Sequence, residues 1–458
     1  MRQDRVRSTA WFALMALTLA AAGMAGCDGD DDDAVADVVL RIFDDSPEPG
    51  GNDVGYAVAI DAAGRIVAAG SADIAGNGAD IAVWRFNPDG SRDTTFNAGG
   101  ATPGIFTHHN AAGGSGNDRA SAVAVDGQGR ILVAGVSFNG ANDDMVLMRL
   151  TPAGTLDTAD FNSALVEPGG PGFVIRNNSG GDGATDIVLG SGGIIYLSGY
   201  TGSGGMDLAV WAYQENGTRD VAWDTDGLAV VDASGFLDYG SSIAFDKSGR
   251  IVVAGITASG AAAGTRDIAI WRFLSTGSLD PAFGTGGLVT IVDPAGGAAA
   301  EDRAWGVAID GKGRVLVTGS SYLPGGVDRV MVVVRHTNES SGPGFTQVPL
   351  TEIVVLPSLG TTGQPPLEGW SIAVDGQERI VVAGEAGSMG GTQLAVVRLN
   401  GDGTLDGSFA GGGVFVDSRG LGSGDRGFGL AIDGNGRPVV VGESSNGTDL
   451  DLGLWRIP

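Results

Sequence analysis

Apolar runs along this chain are short, rich in β-branched residues and closed off by Gly, Asp or Asn, the pattern of antiparallel strands joined by turns. Helical periodicity is missing from residues 37–458. One run returns seven times: Gly55 to Asp61 (GYAVAID), Ala120 to Asp126 (ASAVAVD), Ala184 to Gly190 (ATDIVLG), Gly240 to Asp246 (GSSIAFD), Ala304 to Asp310 (AWGVAID), Gly369 to Asp375 (GWSIAVD) and Gly427 to Asp433 (GFGLAID). The last positions step by 65, 64, 56, 64, 65 and 58 residues, so the chain is an internal repeat.

Each copy continues alike. A tight D-x-x-G-R turn such as Asp61 to Arg65 precedes an apolar strand, here Ile66 to Gly70. A loop of small residues leads to a third strand, Asp80 to Phe86, and the turn Asn87 to Ser91 leads past Asp93 and Phe96 to a fourth strand near Ile105 and Phe106. Four-stranded units of roughly 40–60 residues are propeller blades. The seventh copy stops after its third strand, Leu454 to Pro458, while Val38 to Phe43 forms an orphan strand ahead of the first. Phe43 precedes Asp53 by ten residues, as Phe415 precedes Asp425, so the N-terminal strand reads as the missing fourth strand of the last blade. The expected fold is an all-β, seven-bladed propeller with four antiparallel strands per blade. Closure by that strand removes the exposed edges that invite aggregation.

The strings Gly64 to Gly70 (GRIVAAG), Asp80 to Arg85 (DIAVWR) and Gly277 to Asp280 (GSLD) with Phe283 resemble the delta-60 repeat family of bacterial secreted and surface proteins. The resemblance runs over roughly residues 37–458 and implies the propeller fold; it implies no particular activity.

The first residues differ in kind. Arg2, Arg5 and Arg7 precede an apolar run, Ala10 to Ala22, whose thirteen residues are too few to cross a bilayer as a helix. That layout predicts a signal peptide over residues 1–26. Met24-Ala25-Gly26-Cys27 resembles a bacterial lipobox, which implies cleavage before Cys27 and a lipid anchor on its thiol. Cys27 is also the only cysteine, so no internal disulfide claims it. Residues 27–36, acidic from Asp28 to Asp33, read as a tether. The expected location is the bacterial envelope, with the outer membrane or cell surface favoured over the inner membrane.

Composition sharpens this in two ways. Gly accounts for 81 of 458 residues without a collagen period, which suits a turn-dense β fold. A formal net charge of −27 opposes nucleic acid, whose binding needs phosphates neutralised by Lys and Arg. A monomer is expected.

The loops between second and third strands and between blades vary in length, whereas the D-x-x-G-R and D-G-S turns are uniform; a binding site is expected on the variable face. An acid opens most inner strands: Asp53, Asp118, Asp182, Asp238, Asp302 and Asp425. Around a channel mouth such carboxylates are candidate Ca²⁺ ligands, though the simpler reading is that each bonds backbone N–H groups in its own turn. Arginines Arg65, Arg130, Arg250, Arg314, Arg379 and Arg437 pair in sequence with the D-x-x-G-R acids, and a second set, Arg85, Arg149, Arg272, Arg335, Arg398 and Arg456, recurs in third strands. The third copy has Gly190, Ile194 and Ala212 in place of all three groups, which points to one shared network.

Of three histidines, His108 and His109 read as a solvated loop pair, and no nucleophile motif or zinc spacing accompanies them. Trp84, Trp211, Trp271 and Trp455 hold one repeat position and read as packing residues. Asn87, Asp89, Ser91 and Asp93 read as a hairpin turn, not a calcium loop. The expectation is therefore a non-enzymatic binding or scaffold module for a protein or glycan partner, without catalytic residues or a cofactor other than Ca²⁺. Two alternatives stand beside it: a carboxylate-dependent polysaccharide hydrolase or lyase, and a calcium-stabilised structural surface protein.

Overall fold

In a computed structural model the described residues are 39–43, 50–74, 76, 78–178, 180–202, 205–233, 237–258, 266–297, 301–325, 329–337, 351–356, 368–388, 391–417 and 424–458. The expected signal peptide, Cys27 and the acidic tether lie outside them. No described helix is long and apolar enough to cross a membrane.

Seven antiparallel sheets follow one another. Their innermost strands are Asp53–Ile60, Arg119–Val125, Gly183–Leu189, Asp238–Phe245, Arg303–Ile309, Glu368–Val374 and Arg426–Ile432. We number the blades one to seven in that order. Neighbouring innermost strands touch all the way round, and the seventh meets the first. Blade two carries an additional two-residue strand, Gly169–Gly170, on its outer edge. The outer strand of blade seven is Val39–Phe43, antiparallel to Leu450–Arg456 with Val39 opposite Arg456 and Phe43 opposite Leu452. First and last segments of the propeller thus share one sheet, as the sequence ends predicted.

The core lies in the seams. Trp84 packs with Val439, Val441, Leu452 and Leu454 of blade seven, Trp271 with Leu208 and Val210 of blade three, and Trp455 with Val381 and Leu394 of blade six. Each indole therefore fills the gap to the preceding blade, the packing role expected of its repeat position.

A charged clamp locks the outer part of four blades. Arg85 Nε bonds Asp93 Oδ2 at 2.8 Å while its guanidinium lies 4.6 Å from the centre of the Phe96 ring. The same triad recurs as Arg149–Asp157–Phe161, Arg272–Asp280–Phe283 and Arg398–Asp406–Phe409. Asp406 is held down at about 2, first by the Ser408 hydroxyl and, against the cost of burial, by the Ser408 N–H and Arg398. The D-x-x-G-R pair is the clamp's second half. Asp61 accepts the N–H groups of Ala63 and Arg65 at 2.9 Å and the Arg65 Nε at 2.6 Å, and Arg65 reaches Asp93 at 3.8 Å. The network expected from the third blade's triple loss is therefore real, but it runs through an acid the sequence reading left out of it, Asp93 and its equivalents. Blade three keeps Asp220 but has Ala212 for the arginine, and buried Trp223 occupies the space of the clamp phenylalanine.

Candidate functional site

Every innermost strand carries a β-bulge at the same place, shown by register shifts after Gly55, Ala120, Ala184, Gly240, Ala304, Gly369 and Gly427. The extra residue in each bulge is Tyr56, Ser121, Thr185, Ser241, Trp305, Trp370 or Phe428, and all seven line the central cavity. Bulges re-aim a side chain in this way and are common beside functional sites.

Glycine permits the bulge. Opposite each one, in the second strand, stands Gly70, Gly135, Gly199, Gly255, Gly319, Gly384 or Gly442. A Cβ at any of these would lie 1.7–2.0 Å from a carbonyl oxygen of the bulged strand, that of Val54 for Gly70 and that of Glu368 for Gly384. No side chain fits there.

The cavity is divided chemically. Blades five, six, seven and one contribute an unbroken aromatic arc: Trp305 and Trp370 have ring centres 4.8 Å apart, Trp370 and Phe428 5.5 Å, Phe428 and Tyr56 5.5 Å. Blades two, three and four contribute hydroxyls, those of Ser121, Thr185 and Ser241. The volume is about 500 Å³, within the range of small-ligand sites. The arc sits at the third or fourth residue of each strand, on the side of the variable blade-to-blade loops, the face on which the sequence places a site.

Among the described residues one cation faces this space. Arg119 is exposed, lines the cavity and has no hydrogen bond or ion pair among the described residues. The other inner-strand arginines are neutralised: Arg303 by Glu301 at 2.8 Å, Arg426 by Glu385 and Glu443 at 2.6 and 2.5 Å. Arg119 instead lies within electrostatic reach of Tyr56, Tyr200 and Tyr239, and Tyr200 stacks on Tyr239 at 5.3 Å. Burial pushes the Tyr200 hydroxyl up to about 12 despite that cation.

The candidate calcium ligands point elsewhere. Asp118 accepts the N–H groups of Asn110 and Phe138 at 2.6 and 2.9 Å. Asp238 accepts the Ala233 N–H at 2.7 Å and the Thr257 hydroxyl at 2.6 Å, Asp302 the Asp293 N–H at 2.8 Å, and Asp425 the Ser444 hydroxyl at 2.7 Å. Asp182 accepts the Asn178 N–H at 2.7 Å and bonds Thr201, and Asp53 is buried. These carboxylates turn into the blade junctions, and none of the six lines the central cavity. The Asn87 turn is a hairpin turn, with Asp89 accepting the Ser91 N–H at 2.8 Å.

Buried acids at the junction of blades four and five are strained electrostatically. Asp267 and Asp302 are both raised to about 6, by burial first, with the Asp293 charge adding to each and Asp267 adding to Asp302. An acid whose folded value lies above the unfolded one favours folding fully below the unfolded value, near 4, and loses that contribution as pH rises through 6. Asp267→Asn is therefore expected to raise the melting temperature by a few degrees at about pH 7.5, and thermal scans should show the gain shrink to nothing near pH 4.

The reading of His108 and His109 as a solvated pair is corrected. The His108 ring sits 5.2 Å from Phe173 and its pKa is lowered by burial, while His109 Nδ1 lies 2.6 Å from Asp80 Oδ1. Loop residues could not be placed against a neighbouring blade from sequence spacing.

No curated protein matches the sequence. Among solved structures, an ulvan lyase of polysaccharide lyase family PL25, bound to -[GlcA(1-4)Rha3S]-, has a TM-score of 0.50 at 13% identity over 89% of this chain and 94% of that one. Polysaccharide lyase Uly1 scores 0.46 at 14% identity over 88% and 89% of the two chains, and a protein of unknown function from Dyadobacter fermentans scores 0.46 at 12% over 92% and 98%. At these identities the likeness is one of fold. It nevertheless overturns the expectation that the chain is not an enzyme: propellers of this shape include lyases, so the missing histidine and cysteine motifs exclude no catalysis. Residues 64–96, 129–159, 247–283 and 379–409 match the family model described as a domain of unknown function (DUF5122) beta-propeller. Three of the four matched segments end at the clamp phenylalanine and the fourth ends two residues short of it, each contains one complete Arg–Asp pair, and so segments of blades one, two, four and six are similar to DUF5122 beta-propeller repeats.

Proposed function

We propose that this is an envelope-anchored propeller, tethered through Cys27, that binds an acidic saccharide at the variable-loop mouth of its central channel. The observation that carries the reading is Arg119, a cation without a carboxylate partner among the described residues, facing a cavity with an aromatic arc on one side and hydroxyls on the other. Aromatic faces suit the C–H faces of sugar rings, serine and threonine hydroxyls suit a polyol, and a guanidinium suits a carboxylate bidentately. The net charge of −27 works against long polyanions, so a short acidic chain or chain end fits better than a polymer laid across the surface.

Titration calorimetry with uronate oligosaccharides and neutral ones of equal length tests this. Uronates are expected to bind and neutral sugars not. Arg119→Ala is expected to weaken binding roughly 10- to 100-fold, the loss of one charged hydrogen-bonded contact of about 1.5–3 kcal/mol. Uronate binding unchanged in Arg119→Ala would refute the site. The same incubations, read for newly formed unsaturated chain ends, decide whether the bound saccharide is cut.

A further inference from the structure

The junction of blades one and two places an imidazole beside two buried carboxylates. Asp80 is the third residue of the third strand of blade one, Gly78–Phe86, and Asp118 immediately precedes the innermost strand of blade two; both are buried. His109, on the loop between them, is about a third exposed. One ligand atom from each of the three lies within 4.8 Å of the others. In two other blades the acid equivalent to Asp80 is met by an amide: Asn139 bonds Asp144 at 2.7 Å in blade two, and Asn446 bonds Asp451 at 3.0 Å in blade seven. An amide satisfies a carboxylate and cannot ligate through its nitrogen; an imidazole can do both.

We propose that Asp80, His109 and Asp118 form a binding site for one borderline divalent transition-metal ion, Zn²⁺ or Mn²⁺ in chemical class. Two carboxylates and one imidazole suit such ions, whereas Ca²⁺ takes oxygen ligands alone. The donors are preorganised. Asp118 is oriented by the N–H groups of Asn110 and Phe138, and its own N–H bonds Ala79 O at 2.7 Å, which ties it to the strand carrying Asp80. Each Asp118 oxygen retains a lone pair for a metal after accepting one hydrogen bond. Partial exposure of His109 leaves a route for the ion and room for a water ligand. None of the three ligands lines the central cavity, although Asp118 adjoins Arg119 in the chain and shares a second pocket with it, so the test variants are placed at His109 and Asp80, away from Arg119.

The test uses the full chain without its signal peptide, dialysed against chelator, with Zn²⁺, Mn²⁺, Co²⁺ and Ca²⁺ added separately. One equivalent of Zn²⁺ is expected to bind and raise the melting temperature, Co²⁺ is expected to give ligand-field absorption bands, and Ca²⁺ is expected to do neither. His109→Gln, a loop substitution that leaves both strands intact, is expected to weaken Zn²⁺ at least tenfold and abolish the Co²⁺ bands; Asp80→Asn is expected to do the same. Two results overturn the proposal: wild-type protein that takes up no stoichiometric Zn²⁺ or Mn²⁺, which makes the group an Asp80–His109 ion pair and nothing more, or metal uptake unaffected by His109→Gln.

Discussion

Gly384→Ala is expected to destabilise the propeller by about 3 kcal/mol or more and to abolish ligand binding in whatever fraction still folds. The added Cβ would sit 1.9 Å from the Glu368 carbonyl oxygen and 3.1 Å from the Gly369 Cα. Neither is the far end of a flexible side chain, so relief requires moving the innermost strand itself. That movement removes the bulge after Gly369, and with it the placement of Trp370 at the centre of the aromatic arc. Stability and function fail through one contact. Gly127→Ala is the control: its Cβ meets no atom within 4 Å, its φ is not positive, and its effect should stay within about 0.5 kcal/mol. Chemical denaturation of the two variants checks the first half, and saccharide titration of Gly384→Ala at low temperature checks the second. Two curves that coincide would mean the bulge is not constrained by the glycine.

How much of this could be read beforehand follows from what repeats. Strand order, blade number and the closing role of Val39–Phe43 were legible because seven copies align and the two chain ends complement each other. The site was half legible. Tyr56, Ser121, Thr185, Ser241, Trp305, Trp370 and Phe428 occupy the second place of the seven recurring segments, the one place where large aromatic and small hydroxyl residues alternate between copies. Strict strand alternation gives no reason to single that place out, since it assigns residue 56 the same face as residue 58. The bulge breaks the alternation, and bulges leave no pattern in one sequence except the glycine opposite, which a turn-rich chain hides among its 81 glycines. The acids Asp53 to Asp425 were visible as a series but not in direction; their side chains turn to nearby N–H and hydroxyl groups because burial without such partners would cost several kcal/mol. His109 and Asp80 come together across 29 residues, a distance that only the loop's path decides.

The clamp yields the second large effect. Arg272→Ala is expected to lower the unfolding free energy by about 3–5 kcal/mol, since removing one partner of a buried pair strands the other charge. Arg272 is fully buried, and its guanidinium bonds Asp280 at 2.8 Å while lying 4.4 Å from the Phe283 ring centre. Arg250 also reaches Asp280, at 3.2 Å, but from a position about a fifth exposed, so it screens the stranded carboxylate only in part. Removing both buried charges separates two causes. If the cost of the single variant is the unpaired carboxylate, Arg272→Met with Asp280→Leu should recover most of the loss, because apolar groups of similar volume replace a buried pair at little cost. Blade three already shows a chain doing without the arginine: Ala212 stands in its place, Trp223 fills the volume, and Asp220 is partly exposed where Asp280 is buried. Denaturant unfolding of the single and double variants therefore measures whether the clamp stabilises by attraction or only by avoiding an orphaned charge. A double variant as unstable as Arg272→Ala would mean that the attraction within the Arg–Asp–Phe triad, repeated in four blades, is itself a main term in holding the outer strands.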